Sequence, residues 1–366
     1  MQSMQSSRLL PLPGLLLAIV SGSLMARASS PRDTDQPNEL GRVPILMYHS
    51  VGEYNTAYDR HGLNITPSLF RKHMDLLYRN GFYPVNLRDL TNPRLAIPKG
   101  KTPVVLTFDD ARGSQFRYKN GRIDPDCVVG ILDAMHKKHG DAWPQRAVFF
   151  VLPKSRYNPV PFHQEGKEQA KVKYLVDAGY EIANHSTSHR PFSRLNAKEL
   201  AWEVTHCQQY FRKIDPRVTI DTMAVPYGIF PKTPALRDIL TANGNRLVCM
   251  AWGDASYAPL DKRFDRKSVM RVGSEPGNIE RWIQVLVAAR RKPGSSLAPY
   301  VSDGDTTTLT LPASRMKFVN RPETNGMRLV TFADAPAEAT VARTKTKPEK
   351  KRKPSSQGKP IVSSGR

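Results

Sequence analysis

Cysteine is scarce. The 366 residues contain three, Cys127, Cys207 and Cys249, too widely separated for a disulfide framework or for the paired thiols of a zinc cluster. One disulfide stays open in an oxidising compartment, although Cys207 and Cys249 fall inside apolar patterns and read as core residues. Long hydrophobic runs are equally rare: after the first thirty residues no segment is apolar enough to cross a bilayer. No glycine-rich fingerprint follows a strand pattern, which argues against a dinucleotide-binding, doubly wound sheet. Acidic residues are short, 33 against 55 lysines and arginines, giving a formal net charge of +22. Histidine does not occur after His206.

What is present divides unevenly. With 39% hydrophobic residues the chain can form a packed core, as one large α/β domain or two small ones. At the front, Arg8 precedes an apolar run from Leu9 to Val20, and Ala26-Arg27-Ala28 supplies small residues at the cleavage spacing of a secretory signal. Pro11, Pro13 and Gly14 break that run, so a cleaved signal over residues 1–28 is expected, with export to the periplasm or beyond. At the back, Arg343 to Lys359 concentrates Lys345, Lys347, Lys350, Lys351, Arg352 and Lys353 among proline and serine. Such a composition cannot bury enough surface to fold, so residues 336–366 are expected to be a disordered basic tail. Its electrostatic partner would be an anionic cell-envelope surface, and no specific nucleic-acid recognition is expected.

Between Val43 and Trp252 short β-type runs alternate with helical patterns, the signature of parallel strands covered by helices. Strands are predicted at Val43 to Tyr48, Val104 to Phe108, Ala147 to Leu152, Tyr180 to Ala183, Thr222 to Val225 and Leu247 to Ala251. Thr66-Pro67 opens a helix that stops at Gly81, Asn196 and Glu199 open another at capping-box spacing, and a third runs from Cys127 to Lys138. This favours an α/β fold built as a closed or distorted (β/α) barrel over residues 40–295. From 296 to 335 the pattern changes to Thr306 to Leu311, Met316 to Val319 and Met327 to Phe332, which read as short antiparallel strands of a β-rich extension.

In such a barrel reactive groups belong at the carboxyl ends of strands, and His49, Asp109-Asp110, His185 and Tyr227 each follow a predicted strand. Two adjacent carboxylates at the end of a buried strand need compensation, because unpaired charge there is expensive. His185 and His189, four residues apart, can put both imidazoles on one side of a turn or first helical turn. Two histidines and one carboxylate leave coordination positions open, the pattern of a catalytic rather than a structural metal site. His136, His139, His163 and His206 lack such a context and are expected to serve packing or the surface.

Thr107-Phe108-Asp109-Asp110 and His185 to His189 resemble the first two motifs of the polysaccharide deacetylases with a NodB homology domain, carbohydrate esterase family four. The resemblance implies Asp109 as catalytic base and Asp110, His185 and His189 as ligands of one divalent metal, zinc or else cobalt or nickel. The third motif, usually Arg-x-Pro-Tyr, reads Ala224-Val225-Pro226-Tyr227 here, so the core with Pro226 and Tyr227 is kept but the arginine is not. Arg271 is the candidate to supply the missing guanidinium, and the Tyr227 backbone N–H the candidate oxyanion donor. The family's late Leu-x-x-His is absent, yet Leu46-Met47-Tyr48-His49 carries it at the front. This is similar to the circularly permuted arrangement of exported poly-N-acetylglucosamine deacetylases, and it implies His49 as general acid on the opposite side of the scissile bond from Asp109.

The activity implied is hydrolytic removal of acetyl groups from an N-acetylhexosamine polysaccharide. Two other functions stay open: an esterase for O-acetylated glycans, and a noncatalytic glycan-binding protein. Ala224 and the unusual Ala111-Arg112-Gly113 favour the second of these.

Overall fold

The computed structural model describes residues 36–52, 63–155 and 158–334. The expected signal segment and basic tail lie outside them. Seven parallel strands make the frame: β1 (Ile45–Tyr48), β2 (Phe82–Val85), β3 (Thr102–Asp109), β4 (Val148–Val151), β5 (Glu181–Asn184), β6 (Thr222–Ala224) and β7 (Leu247–Cys249). Their spatial order is β7-β6-β5-β4-β3-β1, with β2 also pairing β3. Around them pack α1 (Pro67–Arg79), α2 (Val128–His139), α3 (Glu168–Ala178), α4 (Ala197–Ile214), α5 (Pro234–Ala242) and α6 (Asn278–Ala289).

The two edges of this sheet meet through a short seam. Val269 N–H donates to Val248 O at 2.8 Å and Met250 N–H to Val269 O at 3.0 Å. Three residues on, Val272 N–H donates to Ile45 O at 2.7 Å and Met47 N–H to Val272 O at 2.8 Å. Val269–Val272 therefore joins the last strand to the first and closes a distorted barrel, which removes the exposed edges an open sheet would present.

Strand parity decides what points inward. Ile45, Val105, Val148, Phe150, Ala183, Ala224 and Cys249 share one apolar cluster inside the barrel. Leu46, Tyr48, Leu106, Phe108, Phe149, Val151 and Ile182 share another, under the helices. Because side chains alternate along a strand, His49, Asp109 and His185 continue the inward set of Ile45, Val105 and Ala183. Burial on both faces explains why β3 is buried along its whole length and reads as a continuous apolar run.

The helix signals act locally as expected. Thr66 Oγ1 accepts from Leu69 N–H at 3.1 Å with Pro67 in the first turn, and Asn196 and Glu199 form a reciprocal capping box. The extension differs from expectation. Its strands β8 (Thr308–Pro312) and β9 (Arg328–Phe332) pair in parallel, not antiparallel, because the chain between them includes two 3₁₀ turns, Ala313–Phe318 and Arg321–Thr324. The first of those turns takes most of the Met316 to Val319 segment predicted as a strand. Glu39 N–H donates to Thr310 O at 2.8 Å, so the extension is stitched to the residues just before β1. All three cysteines are buried and free, so the disulfide left open by the sequence does not form.

Candidate active site

β3 delivers Asp109 and then stops abruptly. Asp110 and Ala111 both adopt left-handed backbone, φ 79° and 49°, a conformation that non-glycine residues hold only when the surroundings enforce it. The enforcement is visible. Asn158 Nδ2 donates to the carbonyls of Asp110 and Ala111 at 2.8 and 3.1 Å, and Phe162 N–H donates to Ala111 O at 2.7 Å. Gln115 Nε2 donates to His49 O at 2.8 Å and to Asp109 O at 2.6 Å, fixing the ends of β1 and β3 to each other.

The second loop follows β5. His185 presents Nδ1 to Ala224 O at 3.0 Å, which directs Nε2 at Asp110. Ser186 and His189 again take left-handed backbone, φ 70° and 60°. The loop between them is held by Glu203 of α4, fully buried, whose carboxylate accepts from the backbone N–H of Thr187 and Ser188 at 2.9 Å each and from Ser188 Oγ at 2.5 Å. Ser186 Oγ accepts from His189 N–H at 2.9 Å.

The outcome is a tight cluster. Asp110 Oδ1 lies 3.3 Å from His185 Nε2 and 3.2 Å from His189 Nε2, and the three candidate ligand atoms fall within 4.8 Å of one another. For bonds of about 2.0–2.2 Å to a tetrahedral ion, neighbouring donor atoms sit roughly 3.3–3.5 Å apart, so this set fits a divalent cation such as zinc. With Nδ1 of His185 engaged by a carbonyl, the lone pair of Nε2 is left for ligation.

Asp109 is treated differently. Arg271, fully buried, donates from Nη1 to Oδ1 at 2.7 Å and from Nη2 to Oδ2 at 2.8 Å, while its Nε donates to Met250 O at 2.8 Å. Burial works against ionisation of Asp109, but Arg271 and then His185 outweigh it and hold the carboxyl below its usual range. At Asp110 burial is likewise overcome, there by the hydrogen bonds of His185 and His189, and the carboxyl sits well below the usual range. Burial lowers the His49 imidazole, an effect that Asp109 and Asp110 partly offset. For His185 burial is outweighed by Asp109 and Asp110, which hold its pKa above the ordinary value. The pocket thus favours positive charge beside Asp110.

His49 Nε2 stands 4.0 Å from Asp109 Oδ2, beside the carboxylate, where the sequence placed it on the opposite side of the reaction. Its Nδ1 is buried and has no hydrogen-bond partner among the described residues. Pro226 opens a single 3₁₀ turn, Pro226–Gly228, in which Tyr227 has φ 57° and sets its half-exposed ring edge-on to His189, centroids 4.4 Å apart. Of the histidines assigned to packing, His139 stacks on Tyr78 and His206 on Trp202. His163 instead lines a small pocket with Arg112, Asn158, His189 and Tyr227.

Gln115, Asn158, Glu203 and Arg112 were not singled out as functional by sequence. Only Glu203 carried a signal, being a carboxylate at the centre of the apolar stripe Leu200, Val204, Cys207 of α4.

The barrel thus carries two imidazoles and two differently treated carboxylates at its carboxyl mouth. Residues 96–248 match the family model described as polysaccharide deacetylase. The matched stretch includes Asp109, Asp110, His185, His189 and Tyr227 but neither His49 nor Arg271. A chitooligosaccharide deacetylase of Bradyrhizobium sp. (strain ANU 289) is 26% identical over 176 residues, 48% of this chain and 64% of that protein. Two solved structures share the fold. A Streptococcus pyogenes deacetylase, PplD, in complex with acetate has a TM-score of 0.51 and 18% identity, covering 67% of this chain and 98% of that one. A polysaccharide deacetylase from Bacillus cereus has a TM-score of 0.51 and 15% identity, covering 67% and 69%.

Proposed function

We propose that the chain hydrolyses the acetamide of an N-acetylhexosamine polysaccharide, using a divalent ion held by Asp110, His185 and His189. The observation that carries this is the separation of roles between adjacent carboxylates: Asp110 faces two imidazoles, whereas Asp109 faces a guanidinium and His49. When bound, the ion supplies Lewis acidity, polarising the acetyl carbonyl and acidifying water.

The remaining work belongs to side chains. Asp109, kept ionised by Arg271, takes a proton from the attacking water at a carboxylate oxygen. His49 Nε2 delivers a proton to the departing amine, and a histidine whose pKa is lowered is the stronger acid once protonated. The backbone N–H of Tyr227 is assigned to the developing oxyanion. With His49 on the first strand and Arg271 in the seam beside it, we assign the permuted arrangement in which the front of the chain supplies the acid.

The secretory pattern of residues 1–28 supports export, and the lysine-rich segment Arg343 to Lys359 supports attachment to an anionic envelope polymer. The deciding experiment measures acetate released from poly-N-acetylglucosamine, chitin oligomers and peptidoglycan, with O-acetylated xylan in parallel, before and after chelation. Chelator-sensitive release from an N-acetylated polymer is expected. Release from xylan alone would replace the amidase with an esterase, and no release from a metal-loaded protein would leave a glycan-binding protein.

A further inference from the structure

Arg112 stands two residues after Asp110, and its guanidinium is used on one side only. Nε and Nη2 donate to Asp110 Oδ2 at 3.0 and 2.8 Å, while Asp110 Oδ1 is the oxygen turned to the imidazoles. A guanidinium carries five N–H donors, so most of the fork is left over. Those donors have no partner among the described residues, and the side chain is 33% exposed.

Arg112 lines a pocket together with Asp110, Ser155, Asn158, His163, His189 and Tyr227. The one carboxylate there among the described residues is Asp110, whose two oxygens already face Arg112 on one side and two imidazoles on the other. The far wall is built rather than loose. Phe162 and His163 are consecutive non-glycine residues with left-handed backbone, φ 60° and 53°. Lys171, fully buried, donates from Nζ to Phe162 O at 2.9 Å and adds a second positive charge behind that wall. A Cβ on Gly113 would meet His163 Cβ at 3.0 Å, so the chain after Arg112 packs closely against the same residue.

We propose that the Arg112 edge of this pocket, beside the metal ligands, is a subsite for a carboxylate borne by a sugar adjoining the one that is deacetylated, with Arg112 as the specificity-determining residue that selects an acidic glycan. The inference rests on the deacetylase function proposed above and names the class of polymer. A planar carboxylate matches the free edge of the guanidinium fork better than a neutral hydroxyl does. Asn158, already holding the Asp110 turn through Nδ2, keeps its Oδ1 without a partner among the described residues.

The test is calorimetric binding to the full-length, zinc-loaded protein at about 0.3 M salt, where long-range attraction to the lysine-rich segment Arg343 to Lys359 is largely screened. The probes are a neutral N-acetylglucosamine hexamer and a hexamer alternating N-acetylglucosamine with glucuronic acid. Wild type is expected to bind the acidic hexamer about tenfold more tightly, the range of one hydrogen-bonded charge pair. Arg112→Gln should bring the two hexamers to parity, and Arg112→Lys, which keeps charge without the fork, should fall between. Because disturbing Asp110 affects both hexamers alike, the ratio isolates the subsite. Equal binding by wild type, binding of neither hexamer, or a preference that survives in Arg112→Gln overturns the proposal. If Arg112 governs binding while acetate is released from no polymer, it is the deacetylase function that fails, and the subsite stands.

Discussion

Arg271 and Asp109, 162 residues apart in sequence, form a bidentate buried pair in which the guanidinium grips both carboxylate oxygens at 2.7 and 2.8 Å. Removing one partner of such a pair leaves an uncompensated buried charge. Arg271→Met is therefore expected to lower stability by about 3 kcal/mol and to raise the pKa of Asp109. The base would then stay protonated to higher pH, so the acid limb of the kcat profile should move upward. A pH–rate profile and a thermal melt check this; an unmoved acid limb removes Arg271 from the control of the base.

The two neighbouring aspartates make a sharper contrast. Asp109→Asn should abolish acetate release while metal content, measured by atomic absorption, stays near one equivalent. Asp110→Asn should lose the metal. Inverted metal contents would mean that the roles of the pair are exchanged.

His49→Ala is expected to slow deacetylation by about 10²–10⁴-fold without removing metal, the usual range for a general acid or base. Near-normal turnover of His49→Ala would leave the amine without its proton donor.

Glu203 never approaches the reaction, yet it holds the loop that carries both imidazoles. Glu203→Ala should weaken metal affinity about 10–100-fold, as the loss of a group that orients ligands typically does. Chelator competition gives the affinity, and Glu203→Gln should recover part of it because one acceptor oxygen remains. Affinity unchanged in both variants would make the carboxylate a matter of folding alone.

Away from the mouth, burial pushes Glu181 at the start of β5 up to about 7, against the opposing effect of Arg88. A carboxyl whose pKa is raised on folding contributes its full stability below the unfolded value near 4.5 and loses it as pH rises through about 7. Glu181→Gln should accordingly be more stable than wild type at pH 8, by about 3 kcal/mol, and gain nothing at about pH 4. Denaturant melts at the two pH values decide it; equal gains at both would point to packing instead.

The six predicted strands all appear, because parallel strands buried on both faces write themselves as unbroken apolar runs. β2 was missed: Phe82-Tyr83-Pro84-Val85 contains a proline and is only four residues long. The chemistry-bearing residues were legible where a motif placed them after a strand, as with Asp109, Asp110, His185 and His189. Arg271 could be named but not located, since nothing in Val269-Met270-Arg271-Val272 says that it closes a barrel. Asn158 and Gln115 were invisible as site residues because their importance lies in loop contacts across tens of residues, which no local period records, while Arg112 bonds Asp110 only two residues away, in a left-handed turn that no sequence period marks. The parallel order of β8 and β9 was hidden for the same reason.

The Val269–Val272 seam has a consequence for how the protein comes into being. Its backbone joins the first strand to the last, and its one arginine neutralises Asp109. A growing chain that has made β1 through β7 still has two open edges and an Asp109 carboxylate without its guanidinium partner, both unfavourable in a buried setting. Architecture and the Arg271–Asp109 pair are completed by the same four residues. Chemical competence should arrive in one step, with the last turn of the barrel, rather than accumulate strand by strand.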